Sequence, residues 1–424
     1  MAHISPELWA LAAEAELALQ TVFQNIRETS SRNTERVLEA FASNRVSESS
    51  FNPTTGYGYN DAGRDRLDRI WAEVFGAEAA LVRMQLVNGT QSLTVGLFGL
   101  LRPGDIMLSI SGKPYDTLEE VIGIAGTPGD GSLRDFGVEY RQVELSADGS
   151  FDYPAVKQAV LDAGKRLKMV FVQRSKGYLD RRTLHVSEIG EMVAFVKSLN
   201  PNVFFTVDNC YGEFVEDREP TAVGADLCIG SLIKNPGGGM AETGGYLAGT
   251  AEAIRLVSYR LTSVGTGAEV GATLGQNRNM YKGLFYAPHT VSQALMTAHL
   301  AAYVFGKMGF AVEPEWNVPR ADIIQAIRMG SPEGMISFCK GLQAGSPVDA
   351  FVSPVPCPTP GYADEVIMAA GTFVSGSSIE LSADGPLREP YLIYMQGGLT
   401  YESGKIGILS AAQAVLDDGL ARLG

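Results

Sequence analysis

"NVFFTVDNCYGEFVE", residues 202–216, joins an apolar run to a carboxylate, since NVFFTVD closes on Asp208. A second apolar run, "ADLCIGSLIK" (225–234), closes on Lys234, the next lysine along the chain, and "NPGGG" (235–239) follows at once. Short apolar runs bounded by turn formers read as buried strands. These two end on opposite charges. Ligands of a parallel sheet bind outside the carboxyl ends of its strands, so Asp208 and Lys234 mark a candidate site.

Outward from these runs the pattern alternates. "AALVRMQLV" (79–87), "IMLSI" (106–110), "VEYRQVEL" (138–145), "KMVFVQ" (168–173) and "GGYLAG" (244–249) read as strands. "GTQSLTVGLFGLL" (89–101), "DTLEEVIGIAG" (116–126), "YPAVKQAVLDAG" (153–164) and "VSEIGEMVAFVKSL" (186–199) read as helices. Such alternation builds βαβ crossovers around a mostly parallel sheet flanked by helices, an α/β fold. Three regions are expected: an N-terminal helical arm over 1–50 that packs on another subunit, a large domain over 51–290, and a smaller C-terminal α/β domain over 291–424.

With 424 residues, 45% hydrophobic and 19% charged, the chain can bury a large core. A formal net charge of −14 argues against nucleic acid or an anionic membrane as partner. No apolar stretch approaches the ~20 residues of a membrane span. The four cysteines show no CxxC spacing, and the first residues lack the basic flank of a signal peptide, so a cytoplasmic location is expected. The four histidines have no metal-ligand spacing, and no metal is assigned.

Four features converge on one ligand, an anionic phosphate joined to a cationic ring that bears an aldehyde. "VNGTQS" (87–92) is a strand end, a glycine turn and a helix start, whose free N–H groups suit a phosphate. Asp208 is the second feature. Lys234 is the third: a desolvated amine has its pKa lowered and becomes a usable nucleophile toward a carbonyl. Tyr115 in "SGKPYDTLEE" is a strand-end aromatic able to stack on a flat ring. Each also has a plain structural reading, respectively a capped turn, a strand-end ion pair, a lysine reaching solvent and a core tyrosine. Together they are similar to the fold-type-I pyridoxal-phosphate enzymes.

Longer motifs narrow the likeness: "GYGYNDAGRDRLDRIWAEVFGAEAALVR", "GSLIKNPGGGMAETGGYLAG", "LFYAPHTV", "SFCKGLQAGSPVD" and "AAGTFVSGSSIELSADGPLREPYLIYMQGGLTYE". They resemble the methionine gamma-lyase-like, or aluminium-resistance, family, related to the enzymes of cysteine and methionine metabolism. The resemblance implies pyridoxal 5'-phosphate as cofactor, with Lys234 bonding its aldehyde and Asp208 facing its ring nitrogen. It implies a phosphate site at Gly89, Thr90 and Gln91 with Ser231, and Tyr115 stacked on the ring and donating a proton to the leaving group. Tyr57 and Tyr59 resemble a loop that reaches the phosphate of a neighbouring subunit, which implies a homo-oligomer, dimer or tetramer. Arg388 in "DGPLREP" resembles a clamp for the substrate carboxylate. Its alternative is an ion pair with Glu389 or Asp384.

The reaction implied is β- or γ-elimination of a sulfur-containing side chain from a small amino-acid substrate. Four positions depart from the family pattern: Gln91 and Ser403 stand where histidine is usual, Glu242 where proline is usual, and Ile233 where related families carry a hydroxyl. Loss of two imidazoles bears on proton transfer and keeps other readings open. These are aminotransfer, decarboxylation or side-chain replacement with the same cofactor, and a cofactor-binding protein without turnover.

Overall fold

The computed structural model describes residues 3–423; Met1, Ala2 and Gly424 lie outside them. In chain order come α1 (Pro6–Ala18), α2 (Gln20–Ser43), α3 (Ala62–Phe75), β1 (Ala79–Arg83), α4 (Gly89–Leu100), β2 (Ile106–Ser109), α5 (Asp116–Ile122) and β3 (Glu139–Gln142). Then follow α6 (Tyr153–Ala163), β4 (Leu167–Gln173), α7 (Val186–Leu199), β5 (Phe204–Asp208), β6 (Leu227–Ser231), β7 (Gly245–Gly249), α8 (Ala251–Leu261) and α9 (Asn277–Lys307). The chain continues with β8 (Ala311–Glu313), β9 (Gln325–Arg328), α10 (Pro332–Ala344), β10 (Val366–Ala369), β11 (Ser382–Pro386), β12 (Leu392–Gln396) and α11 (Tyr401–Asp417).

The chain divides into two compact units. One comprises Glu35–Leu232 and Met240–Phe285, the other Met1–Thr34, Ile233–Gly239 and Tyr286–Gly424. The expected arm, 1–50, is thus shared between them.

The first unit holds a seven-stranded sheet in the order β1-β7-β6-β5-β4-β2-β3. Pairs from β3 through β6 are parallel, whereas β7 runs antiparallel to β6 and β1. Side chains alternate across a strand, and both faces here are apolar because both are covered. Met107, Met169, Phe171, Leu227 and Ile229 pack with Leu93 and Leu97 of α4 and Val257 of α8. Their neighbours Ile106, Leu108, Val170, Val172, Phe205 and Val207 pack with Val156 of α6 and Ile189, Met192 and Val196 of α7. Side-chain caps start α3 and α6: Asp61 accepts from Arg64 N–H at 2.8 Å, and Asp152 from Ala155 N–H at 2.9 Å.

The other unit holds a five-stranded antiparallel sheet, β10-β11-β12-β9-β8. Its core gathers Phe338 and Leu342 of α10, Ile408 and Leu409 of α11, and Leu8, Ala12 and Ala15 of α1. α1, part of the expected arm, packs into this core. Its apolar face is buried inside its own chain, because Leu8 and Ala15 are fully covered. Among the described residues no helix is long and apolar enough to cross a membrane.

Candidate active site

β4, β5 and β6 run parallel in register, with Gln173 opposite Asp208 and Asp208 opposite Ile229, so their carboxyl ends form one row. Asp208 is buried; its Oδ1 accepts from Cys210 N–H at 3.1 Å and its C=O from Arg174 N–H at 3.1 Å. A polar network braces the chain leaving β5. The fully buried Arg174 donates to Asn209 Oδ1 at 2.7 Å, Gly212 C=O at 3.0 Å and Glu216 Oε2 at 2.5 Å. Asn209 donates to Glu219 Oε2 at 2.8 Å, and Tyr246 OH to Glu213 Oε1 at 2.8 Å. Burial, and then nearby negative charge, pushes the Tyr246 hydroxyl and Cys228 thiol well up, so both keep their protons.

The start of α4 joins this edge. Asn88 Oδ1 accepts from Gln91 N–H at 2.8 Å, and Gln91 Oε1 accepts from Val87 N–H at 2.6 Å, which closes the turn. A Cβ on Gly89 would stand 3.4 Å from Cys210 Sγ and 3.6 Å from Ser231 Cβ. The helix start, the exit of β5 and the end of β6 therefore meet. First-turn N–H groups and the positive end of the helix dipole point into that junction, where Ser231 is fully buried. Thr90 Oγ1 lies 2.9 Å from Thr117 Oγ1 at the start of α5.

Tyr115 sits at the N-cap of α5, its N–H donating to Gln173 Oε1 at 2.5 Å. Its ring lies 5.5 Å, centroid to centroid, from that of Tyr178, tilted by 59°. Tyr57 and Tyr59 stack on one another at 5.3 Å and 12° and are 70% and 54% exposed. Their loop is pinned where Arg64 Nη1 donates to Gly58 C=O at 2.8 Å.

Two expected residues, Lys234 and Arg388, fall in the other unit. The β6 ladder ends at Ser231, not at Lys234; Lys234 caps a 3-10 turn, Asn235–Gly237, and is half-buried. Pro236 and the left-handed Gly238 (φ 56°) force that turn. Gly239 has φ +73°, a left-handed conformation that residues with side chains rarely adopt. Arg388 Nη1 donates to Asp364 Oδ2 at 2.9 Å, and both side chains are partly exposed. Asp364 is a partner that the sequence reading did not name. Of the departures, Glu242 accepts from Gln276 Nε2 at 3.0 Å, and Ser403 Oγ lies 2.9 Å from Thr400 Oγ1.

The methionine gamma-lyase family profile matches residues 8–416. The uncharacterized protein YnbB of Bacillus subtilis (strain 168) is 51% identical over 409 residues, 96% of this chain and 96% of that protein. This chain belongs to the methionine gamma-lyase family. A carbon-sulfur lyase involved in aluminum resistance from Clostridium novyi NT is 48% identical, over 97% of this chain and 96% of that one, at a TM-score of 0.93. The pyridoxal-5'-phosphate-dependent protein YhfS of Escherichia coli shares the fold at 18% identity and a TM-score of 0.61, over 92% and 97% of the two chains.

The methionine gamma-lyase family implies pyridoxal phosphate, and the residues present fit it. A long helix starts at Gly89, where an added Cβ would only touch Cys210 and Ser231, and a buried carboxylate and hydroxyl stand at adjacent strand ends. Three residues at this edge escaped the sequence reading: Cys210 beside Gly89, Gln173 and Tyr178. Gln173 carried a usable signal, a polar residue closing the apolar run "KMVFVQ" as Asp208 closes its own.

Proposed function

We propose that this chain is a pyridoxal-phosphate-dependent lyase that eliminates a β- or γ-substituent, a sulfur-containing side chain, from an amino acid. The observation that carries the reading is the junction of Gly89, Ser231 and the Asp208 turn at one edge of the sheet. Bound there, the cofactor supplies an electron sink for bond breaking at the substrate α-carbon. The N–H groups of Gly89 and Thr90, the Ser231 hydroxyl and the Gln91 turn hold the phosphate. Asp208 holds a proton at the ring nitrogen. Lys234 would be the residue that holds the cofactor through its aldehyde, and its amine would serve as the base for the substrate α-proton. Tyr115 would offer its face to the ring, and its hydroxyl would be the proton donor to the leaving sulfur. Arg388 holds the substrate carboxylate after giving up Asp364. Tyr57 and Tyr59, stacked and exposed, reach a second copy of the chain in a homo-oligomer, located in the cytoplasm.

The test begins with the purified chain and cofactor: a visible absorption band that borohydride abolishes, and that Lys234→Ala lacks, supports the reading. A chain that never takes up the cofactor ends it. Methionine, cystathionine and cysteine are then offered, and release of a thiol or a 2-oxo acid identifies the elimination. A Tyr57→Ala, Tyr59→Ala double variant that sediments as the wild type and binds cofactor equally removes the subunit-crossing role.

One observation favours a second reading, a different reaction with the same cofactor. Gln91 and Ser403 are engaged in local turn bonds, and neither an amide nor a hydroxyl shuttles protons near neutral pH as imidazole does. Cofactor uptake without thiol or 2-oxo acid from any of the three amino acids would favour aminotransfer, decarboxylation or replacement.

A further inference from the structure

We propose that Gln173 is a positioning residue that holds Tyr115 and Asp208 in fixed relation, and that the strap following β4 sets the tilt of the Tyr115 ring. This rests on the reading of Tyr115 and Asp208 as cofactor-binding residues.

Gln173 is buried at the end of β4, in register with Asp208 on β5, and the next N–H, of Arg174, donates to Asp208 C=O. Its side chain reaches the other way. Oε1 accepts from Tyr115 N–H at 2.5 Å, across 58 positions of sequence, and Nε2 donates to Ser175 C=O at 3.0 Å. Its backbone is held on both sides: N–H donates to Ser111 Oγ at 2.9 Å, and C=O accepts from Arg181 Nη2 at 2.9 Å. The same Nη2 donates to Ser175 C=O at 2.8 Å, so one guanidinium closes the strap on itself.

The strap also bears on the ring. Gly177 has φ +57°, and a Cβ there would stand 3.0 Å from both Gln173 Nε2 and Tyr115 Cδ2. Tyr178, next in the strap, supplies the tilted ring contact to Tyr115. An amide suits position 173 on chemical grounds. It offers a donor and an acceptor together, and unlike a carboxylate adds no second negative charge beside Asp208.

The experiment uses the full chain, without and with pyridoxal phosphate. Without cofactor, hydrogen exchange at the Tyr115 amide reads the Gln173 bond directly; it should accelerate in Gln173→Met, and unchanged exchange overturns the clamp. With cofactor, Gln173→Met and Gly177→Ala should weaken binding by about 5- to 10-fold, the scale of one buried hydrogen bond. They should also change the induced circular dichroism of the cofactor band, while Tyr178→Phe, which keeps the ring contact, retains the wild-type signal. Wild-type dichroism in both variants, whether or not affinity falls with thermal stability, marks a merely structural strap and overturns the proposal. A wild-type chain that takes up no cofactor, together with accelerated exchange in Gln173→Met, sinks the proposed function and leaves the Gln173 clamp on Tyr115 standing.

Discussion

Gly89 has room for one more carbon and little else. An added Cβ would meet Cys210 Sγ and Ser231 Cβ at ordinary contact distance, so Gly89→Ala should fold and bind much as the wild type. Gly89→Val places two further carbons in the space where a phosphate would lie. It is expected to weaken pyridoxal phosphate about tenfold, about 1.4 kcal/mol, in a titration of the cofactor-free chain. Equal affinity of the two variants would remove Gly89 from the phosphate site. The residue scale is also where the sequence was most legible. Asp208 and Lys234 stood out because a charge at the end of an apolar run is conspicuous. Cys210 did not, since a cysteine after a strand carries no such mark.

Among the elements, α4 is pressed tightly against α8: a Cβ on Gly99 would come within 2.8 Å of Val257 Cα. Backbone cannot yield as a flexible side chain does, so Gly99→Ala is expected to cost about 1–3 kcal/mol in urea unfolding. This should outweigh the gain in helix propensity of about 1 kcal/mol. A stabilised variant would show that α8 shifts freely. The start of α7 carries a pH dependence. Glu188 Oε2 accepts from His185 N–H at 2.9 Å, and His185 Nδ1 lies 3.2 Å from Glu216 Oε1. That hydrogen bond, with the Glu216 and Glu188 charges, raises the His185 pKa despite burial and Arg174. The stabilisation is therefore full below the unfolded value of about 6.5 and is lost as pH rises through the higher folded value. For Glu216, burial alone would raise the pKa, but His185, Arg174 and Val186 N–H together lower it. Its contribution disappears as pH falls through the depressed value. His185→Gln should accordingly flatten the decline of the thermal midpoint on the alkaline side of about 6.5. An identical decline in both proteins would discount the pair.

At the scale of the whole molecule, a cofactor that binds only the folded chain stabilises it by mass action, about 2.7 kcal/mol at roughly a hundred times its Kd. Pyridoxal phosphate is thus expected to raise the thermal midpoint of the wild type by a few degrees, and that of Lys234→Ala by less. No shift in the wild type would count against the cofactor. The alternation of apolar strands and helices determined the α/β class from sequence alone, because the period of burial is a property of each segment by itself. The same reading placed Lys234 on a strand, and the structure ends that strand at Ser231, because the hydrogen-bonded ladder with β7 closes there. Only tertiary structure decided that Gly89 meets Cys210 and Ser231, and that Gln173 spans Tyr115 and Asp208. Those contacts follow from strand order and register, which join residues far apart in the chain and leave no periodic trace in either segment.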